Sequence, residues 1–308
     1  MKEENISSVE GFLIVGFSDL PQLQVPLFTA FCIIYLMTLA GNLLIMATIY
    51  SNSHLHTPMY FFLTNLSFLD ISYTSVVFPH MLAHFFQKGT YISFSNCLLQ
   101  AYFFMMMVST EYLILSVMAY DRYVAICNPL HYMAIMNNAV CMQLAAGSWV
   151  VSFMVPIAHT ALVSELSFCG SHTINHFFCD LTALLKISCN NTHRIETLTY
   201  ILGATLLMMS FLSIIMSYIN ITASILKIKS KRGRHKAFHT CASHLTVVIL
   251  FYGSLVSTYV RPTSTYSMKE NKILSLSYIA VTPLCNPIIY TLKNTEFKSA
   301  LRRTRNIL

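Results

Sequence analysis

The sequence predicts an all-α membrane protein, a seven-transmembrane helix bundle with its N-terminus outside and its C-terminus in the cytoplasm. Three observations predict it: composition, seven apolar stretches of spanning length, and the distribution of positive charge. Of 308 residues, 55 % are hydrophobic and 10 % are charged, whereas an ordinary globular domain is about 25 % charged. A span needs about 20 apolar residues to cross roughly 30 Å of hydrocarbon. Lipid cannot satisfy a peptide group, so a spanning segment is a helix or a strand of a closed barrel. Barrel strands alternate in hydrophobicity, and the run from Phe28 to Ile49 does not. Twelve of the nineteen lysines and arginines fall on one side of such a bundle. They are Arg122, six between Lys227 and Lys236, and five between Lys293 and Arg305. Positive residues gather on the cytoplasmic side, which orients the chain.

Residues 1–24 read as an extracellular tail. They begin acidic, and the apolar patch from Gly11 to Phe17 is too short for a cleavable leader. Asn5-Ile6-Ser7 is a glycosylation sequon in this tail, and Asn190-Asn191-Thr192 is a weaker one in an outer loop. The spans fall at about 25–49, 57–80, 98–121, 140–161, 197–226, 238–260 and 272–292. The first serves as its own insertion signal. The second and seventh are the least purely apolar, and the second carries Asp70. The third is headed by Cys97, holds Glu111, and ends on Asp121-Arg122. Between the fourth and fifth lies a long outer loop, about 162–196. In the seventh, Asn286-Pro287 interrupts the backbone ladder, because proline has no donor. Residues 293–308 form a short basic cytoplasmic tail, read as an amphipathic helix against the membrane surface.

Cys97, Cys169, Cys179 and Cys189 fall on the outer side, where disulfides persist. One bond should tie Cys97 to the long loop. Cys97–Cys179 with Cys169–Cys189 is preferred, and the arrangement exchanging Cys179 and Cys189 stays open. His172, His176, Cys179 and Asp180 could ligate zinc or copper. A disulfide-bonded sulfur cannot also be a thiolate ligand, so no metal is expected. Asp70 and Glu111 are intramembrane acids with no basic neighbour in sequence. Each must be protonated, hydrogen-bonded or bound to a cation.

Six motifs in order closely resemble the odorant (olfactory) receptor family of rhodopsin-like G-protein-coupled receptors. Gly41-Asn42 opens the set. Leu55-His56-Thr57-Pro58-Met59-Tyr60 leads to Asn65-Leu66-Ser67-Phe68-Leu69-Asp70. Met118-Ala119-Tyr120-Asp121-Arg122-Tyr123 and Ser217-Tyr218 follow. Lys236-Ala237-Phe238-His239-Thr240-Cys241 and Pro283-Leu284-Cys285-Asn286-Pro287 complete it. The resemblance implies a non-enzymatic, multi-pass plasma-membrane receptor with a small-molecule odorant ligand. It also implies a heterotrimeric G protein of the olfactory stimulatory type, rising cyclic AMP, and no nucleic acid partner. Asp121 and Arg122 look like the inactive-state lock, and Tyr218 and Tyr290 like the tyrosines that hold the open form. Tyr252 resembles the toggle beneath the ligand. Asp70 and Glu111 resemble a sodium-type site, against the alternative of a neutral network with Asn42 and Asn286. No other cofactor is expected.

Phe104 lies five helical turns from Arg122, about 27 Å up the same face, and Met105, Val108, Ser109 and Tyr112 continue that side. Amine receptors of the wider class carry an aspartate where Phe104 stands, which disfavours a cationic amine. The expected ligand-binding set is Phe104, Met105, Val108, Ser109, His159, Leu202, Leu206, Val256, Tyr259 and Tyr278. A transporter would show internal repeats around a midplane site, and none is seen. An intramembrane enzyme would need a nucleophile and base that converge, and His159 and His244 have no such partner.

Overall fold

The computed structural model describes residues 10–17, 21–87, 89–169, 172–259, 268–292 and 295–305. Among these, seven helical stretches are long and apolar enough to cross a membrane. They are α1 (Gln24–Ser51), α2 (Pro58–Ala83), α3 (Phe94–Cys127) and, after the single turn α4 (Tyr132–Ile135), α5 (Asn138–Ser164). The long connection holds the short α6 (Leu181–Ile187). The fifth span is α7 (His193–Thr199) joined through a π-helical turn, Tyr200–Ala204, to α8 (Thr205–Lys227). The sixth is α9 (Lys231–Tyr259). The seventh is α10 (Met268–Leu276), a second π turn at Ser277–Val281, and α11 (Thr282–Leu292). A final helix, α12 (Thr295–Arg305), buries Phe297 and Ala300 and exposes Lys298, Arg302 and Arg303.

Local chemistry sets the helix ends. Pro58 opens α2, where its missing donor costs nothing. The Ser93 hydroxyl accepts from Asn96 N at 3.4 Å to cap α3, and Asn137 Oδ1 accepts from Val140 N at 3.0 Å to cap α5. Within the spans, Thr38, Thr64 and Ser148 return their hydroxyls to the carbonyl four residues back. That satisfies groups which hydrocarbon could not. Leu36, Leu43, Val150, Met154, Met209 and Met216 stay exposed. In water such a surface would aggregate, whereas lipid is its matching solvent. Most spans run several residues beyond the expected limits, chiefly α3 and α9, because a helix continues past the hydrocarbon into the headgroup layer.

The expected tail is not wholly without structure. Gly11–Ile14 forms β1, antiparallel to β2 (Thr90–Ser93) and parallel to β3 (Thr173–Ile174), in the order β2-β1-β3. Phe12 and Ile14 are buried while Leu13 faces out, the alternation of a half-buried strand. The sheet spans one end of the bundle. Cys97 is bonded to Cys179 and Cys169 to Cys189, so the long connection is pinned to the head of α3 and closed on itself. Gln100 adds to this pinning, accepting from Cys179 N at 3.0 Å and donating to the Val76 carbonyl at 3.1 Å.

Beyond β1 the chain turns at Gly16, whose φ of 56° lies in the left-handed region. The turn presents the Gly16 carbonyl to Lys272 Nζ, which also lies 5.2 Å from the centre of the Phe17 ring. Phe17 stacks on Phe31, Phe85 and Phe177, and the segment becomes a plug between helix ends.

Candidate functional site: a cavity above a polar core

Below the sheet and the long connection lies a cavity of about 540 Å3. Helix α3 supplies Phe104, Met105, Val108, Ser109 and Tyr112, which share one face at helical spacing. Helix α5 adds Val155, Pro156 and His159. The connection roofs the cavity with Phe178, Asp180, Leu181 and Thr182. Glu196, Thr199, Gly203 and Leu207 form the wall of the fifth span, and Leu255 and Thr258 that of α9. Phe104 packs in tilted contact with the rings of Phe178 at 4.7 Å and Tyr278 at 6.0 Å.

Five of the ten expected ligand residues line this cavity: Phe104, Met105, Val108, Ser109 and His159. Four others do not. Leu202 and Leu206 yield to Gly203 and Leu207, one position on. The π turn at Tyr200–Ala204 adds a residue to one turn of helix, which rotates the wall relative to an unbroken 3.6-residue count. Val256 is 49 % exposed toward the lipid side, while Leu255 is buried. A span apolar on all sides carries no signal for its rotation. Tyr278 packs behind Phe104 instead of beside the cavity. The side chain of Tyr259, and all of Asn5, lie outside the described residues. Gly203, Leu207, Leu255 and Thr258 were missed for the same reasons of rotation.

Beneath the cavity, Tyr252 joins three spans. Its hydroxyl lies 2.7 Å from Ser210 Oγ and donates to the Tyr112 carbonyl at 3.3 Å. Tyr112 also lines the cavity, so the expected toggle touches the cavity wall. Deeper still, Asp70 accepts from Asn286 Nδ2 at 3.2 and 3.0 Å and from the Tyr73 hydroxyl at 3.3 Å. Glu111 is fully buried, and among the described residues neither of its oxygens has a hydrogen-bond partner. Asn42 donates to the carbonyls of Thr38 at 3.0 Å and Pro283 at 3.3 Å. Among the described residues, the acceptor oxygens of Asn42 and Asn286 have no partner.

At the opposite end from the sheet, Arg122 Nε donates to Asp121 at 3.0 Å and a second guanidinium nitrogen also reaches that carboxylate. The Tyr132 hydroxyl donates to the other Asp121 oxygen at 2.7 Å. The lock residues therefore meet, with α4 as an added partner. Nearby, the Tyr218 hydroxyl lies 2.8 Å from His244 Nδ1, and His244 Nε2 lies 3.1 Å from the Leu115 carbonyl. A carbonyl only accepts, so Nε2 donates, Nδ1 accepts from Tyr218, and His244 ties α9 to both α3 and α8. These partners are a tyrosine hydroxyl and a carbonyl, not the nucleophile an enzyme site would need. The Tyr290 hydroxyl is buried and has no described partner. Pro287 sits inside α11, where Gly41 of α1 comes against it.

Outside the spans, His176 is 1 % exposed and rests on the rings of Phe177 and Phe178 at 4.6 and 4.7 Å. Burial, reinforced by the charge of Lys272 and opposed by Asp180, pushes its pKa down to about 4. Among the described residues, no group of three or more His, Cys, Asp or Glu side chains could hold a metal ion, and Cys179 is committed to its disulfide.

A family model described as "Olfactory receptor" matches residues 31–306. Olfactory receptor 1G1 of Gorilla gorilla gorilla is 46 % identical over 98 % of this chain and 97 % of its own length. Olfactory receptor 1L4 of Homo sapiens is 46 % identical over 97 % of this chain and 96 % of its own. Olfactory receptor 9G4 of Homo sapiens is 48 % identical over 98 % of this chain and 93 % of its own.

Proposed function

The chain belongs to the olfactory receptor family of G-protein-coupled receptors, and on that premise we propose that it senses a small, largely apolar ligand in the cavity between α3, α5, α8 and α9. Binding there activates a G protein of the olfactory stimulatory type and raises cyclic AMP. The family is not enzymatic, and its seven spans make this a multi-pass plasma-membrane protein.

The observation that carries the ligand reading is the cavity. Its volume, about 540 Å3, suits an odorant-sized molecule. Phe104, Met105, Val108, Leu207 and Leu255 make much of its lining apolar. Burying apolar ligand surface there is worth about 25 cal/mol per Å2. After the cost of ordering, that supports roughly micromolar affinity or weaker.

With the N-terminus outside, the sheet faces the exterior and Arg122 the cytoplasm. The ligand then selects between two helix arrangements. In the closed one, Asp121, itself bonded by Tyr132, holds Arg122, and His244 bridges Tyr218 to the Leu115 carbonyl. A ligand pressing on Tyr112 and Leu255 favours the arrangement in which α9 swings out at its Lys231 end. Arg122 leaves Asp121, Tyr218 leaves His244, and Tyr290 gains a partner for its orphan hydroxyl. The cleft receives a helix of the G-protein α subunit, bordered by the basic run Lys227 to Lys236. Asn286-Pro287 is the pivot of the last span. A sodium ion belongs to the closed form of this reading. The unpartnered Glu111 oxygens, Asp70 and the acceptor of Asn286 are oxygen donors suited to a hard cation, which would neutralise the buried acids. Asn5 is the glycosylated residue of the outer tail.

Val108→Trp tests the site, because it fills the cavity from α3 without touching the inner end. At equal surface expression it should abolish the response to every activating odorant. Odorant responses that persist at wild-type potency would place the ligand elsewhere.

A further inference from the structure

We propose that the ligand of this receptor carries an O–H or N–H donor on its apolar body, an alcohol or phenol above all, and that His159 selects it. The inference rests on the cavity being the ligand site and goes on to name the chemistry that the cavity prefers.

His159 lines the cavity from α5 and is 97 % buried, 3 % of its surface remaining exposed. Its Nδ1 lies 3.1 Å from the Val155 carbonyl one turn back. A carbonyl has no proton to give, so Nδ1 is the donor. A neutral imidazole that donates from one nitrogen presents a lone pair on the other. Nε2 is therefore an acceptor, and among the described residues no group donates to it. Met105, Val108 and Val155 in the lining offer no donor, and among the described residues none of the hydroxyls that also line the cavity, Ser109, Thr199 and Thr258, is hydrogen-bonded to His159. Nε2 opens onto the cavity, and a ligand that covers it without supplying a donor leaves it unpaired at a cost. A hydroxyl relieves it. An ether, ester or ketone at this position opposes lone pair to lone pair. A site built to bond a hydroxyl rejects the analogue lacking it far more strongly than an apolar wall rejects a missing methylene.

The test uses the full chain in cell membranes, with nucleotide exchange on the G protein as readout and surface labelling as the control for folding. The probes are matched sets: octanol, octanal, methyl octyl ether and octanoic acid; menthol, menthone and menthyl methyl ether; phenol and anisole. The alcohols and phenol should be the agonists. His159→Phe should weaken them about tenfold, the loss of one buried hydrogen bond, and leave any response to ethers and ketones within about threefold. His159→Gln, whose amide oxygen can accept, should restore part of the loss. Ethers or ketones equal to the alcohols on the wild type would overturn the proposal. So would preference for octanoic acid, which points to a protonated ring, and so would a His159→Phe variant that weakens all classes alike. A panel without any agonist also counts against it. Val108→Trp separates the two levels. If it silences the responses while His159→Phe shows no selectivity for donors, the cavity stands and the donor rule falls. If Val108→Trp leaves the responses intact, the cavity reading itself fails.

Discussion

Glu111 and His176 each bury polar atoms that no described group bonds, and such atoms are where a single residue governs behaviour. For His176 the consequence is a pH dependence. Burial depresses its folded pKa from the ordinary 6.5 to about 4. Between those values the unpacked loop binds more protons than the packed one, so stability is full above pH 6.5 and declines as pH falls toward 4. At about pH 5 the loss amounts to roughly 2 kcal/mol. Thermal unfolding of the purified receptor should therefore drop by several degrees between about pH 7 and pH 5. His176→Leu should remove its own share of that drop, and His84, whose pKa burial also lowers to about 4, keeps the rest from vanishing. An unchanged pH slope in the variant would mean that the ring is not held neutral by burial. The residue types of the inner lock were legible because charge is conspicuous in an apolar chain. The partner of His244 was not, since Leu115 contributes only a carbonyl, which any residue could supply.

A helix reveals its existence in sequence more readily than its rotation. All seven spans were legible from length and apolarity, since lipid admits only helices or closed barrels and the runs lack the alternation of barrel strands. Their facing was legible for α3, where Glu111, Asp121 and Ser109 mark the inner side. It was lost in the fifth span at the π turn, and in α9 because lipid and core are equally apolar. Close approach is a further property of elements, and Gly41 illustrates it. A Cβ at this position of α1 would lie 2.9 Å from Pro287 Cβ, closer than packing allows. The missing side chain lets α1 meet α11, and Asn42 then bonds the Pro283 carbonyl. Gly41→Val should push the first and last spans apart at a cost of about 1–3 kcal/mol and lower surface expression several-fold, with Gly41→Ala intermediate. Wild-type expression and thermal stability in the valine variant would show that this approach is dispensable. The strand Gly11–Ile14 was missed because four residues of alternation are a weak signal. Its partners at Thr90–Ser93 and Thr173–Ile174 become neighbours only once the bundle has formed.

Across the whole molecule, two ends do different work. One is stapled by the sheet, the two disulfides and Gln100, which fixes the roof of the cavity against α3. The other, among the described residues, is joined without a disulfide, by the Asp121–Arg122 ion pair, by apolar contacts and by hydrogen bonds of Tyr132, Tyr218 and His244. Covalent closure at one end and exchangeable bonds at the other make the second the end that can open. The most direct test is the separation of spin labels placed at the Asn128 end of α3 and the Lys231 end of α9. It should be measured with and without an activating odorant, in the wild type and in Val108→Trp. The separation should widen by several ångströms with odorant in the wild type and stay unchanged in the filled cavity. An odorant that drives nucleotide exchange while the two ends keep their distance would contradict the coupling of cavity to inner rim.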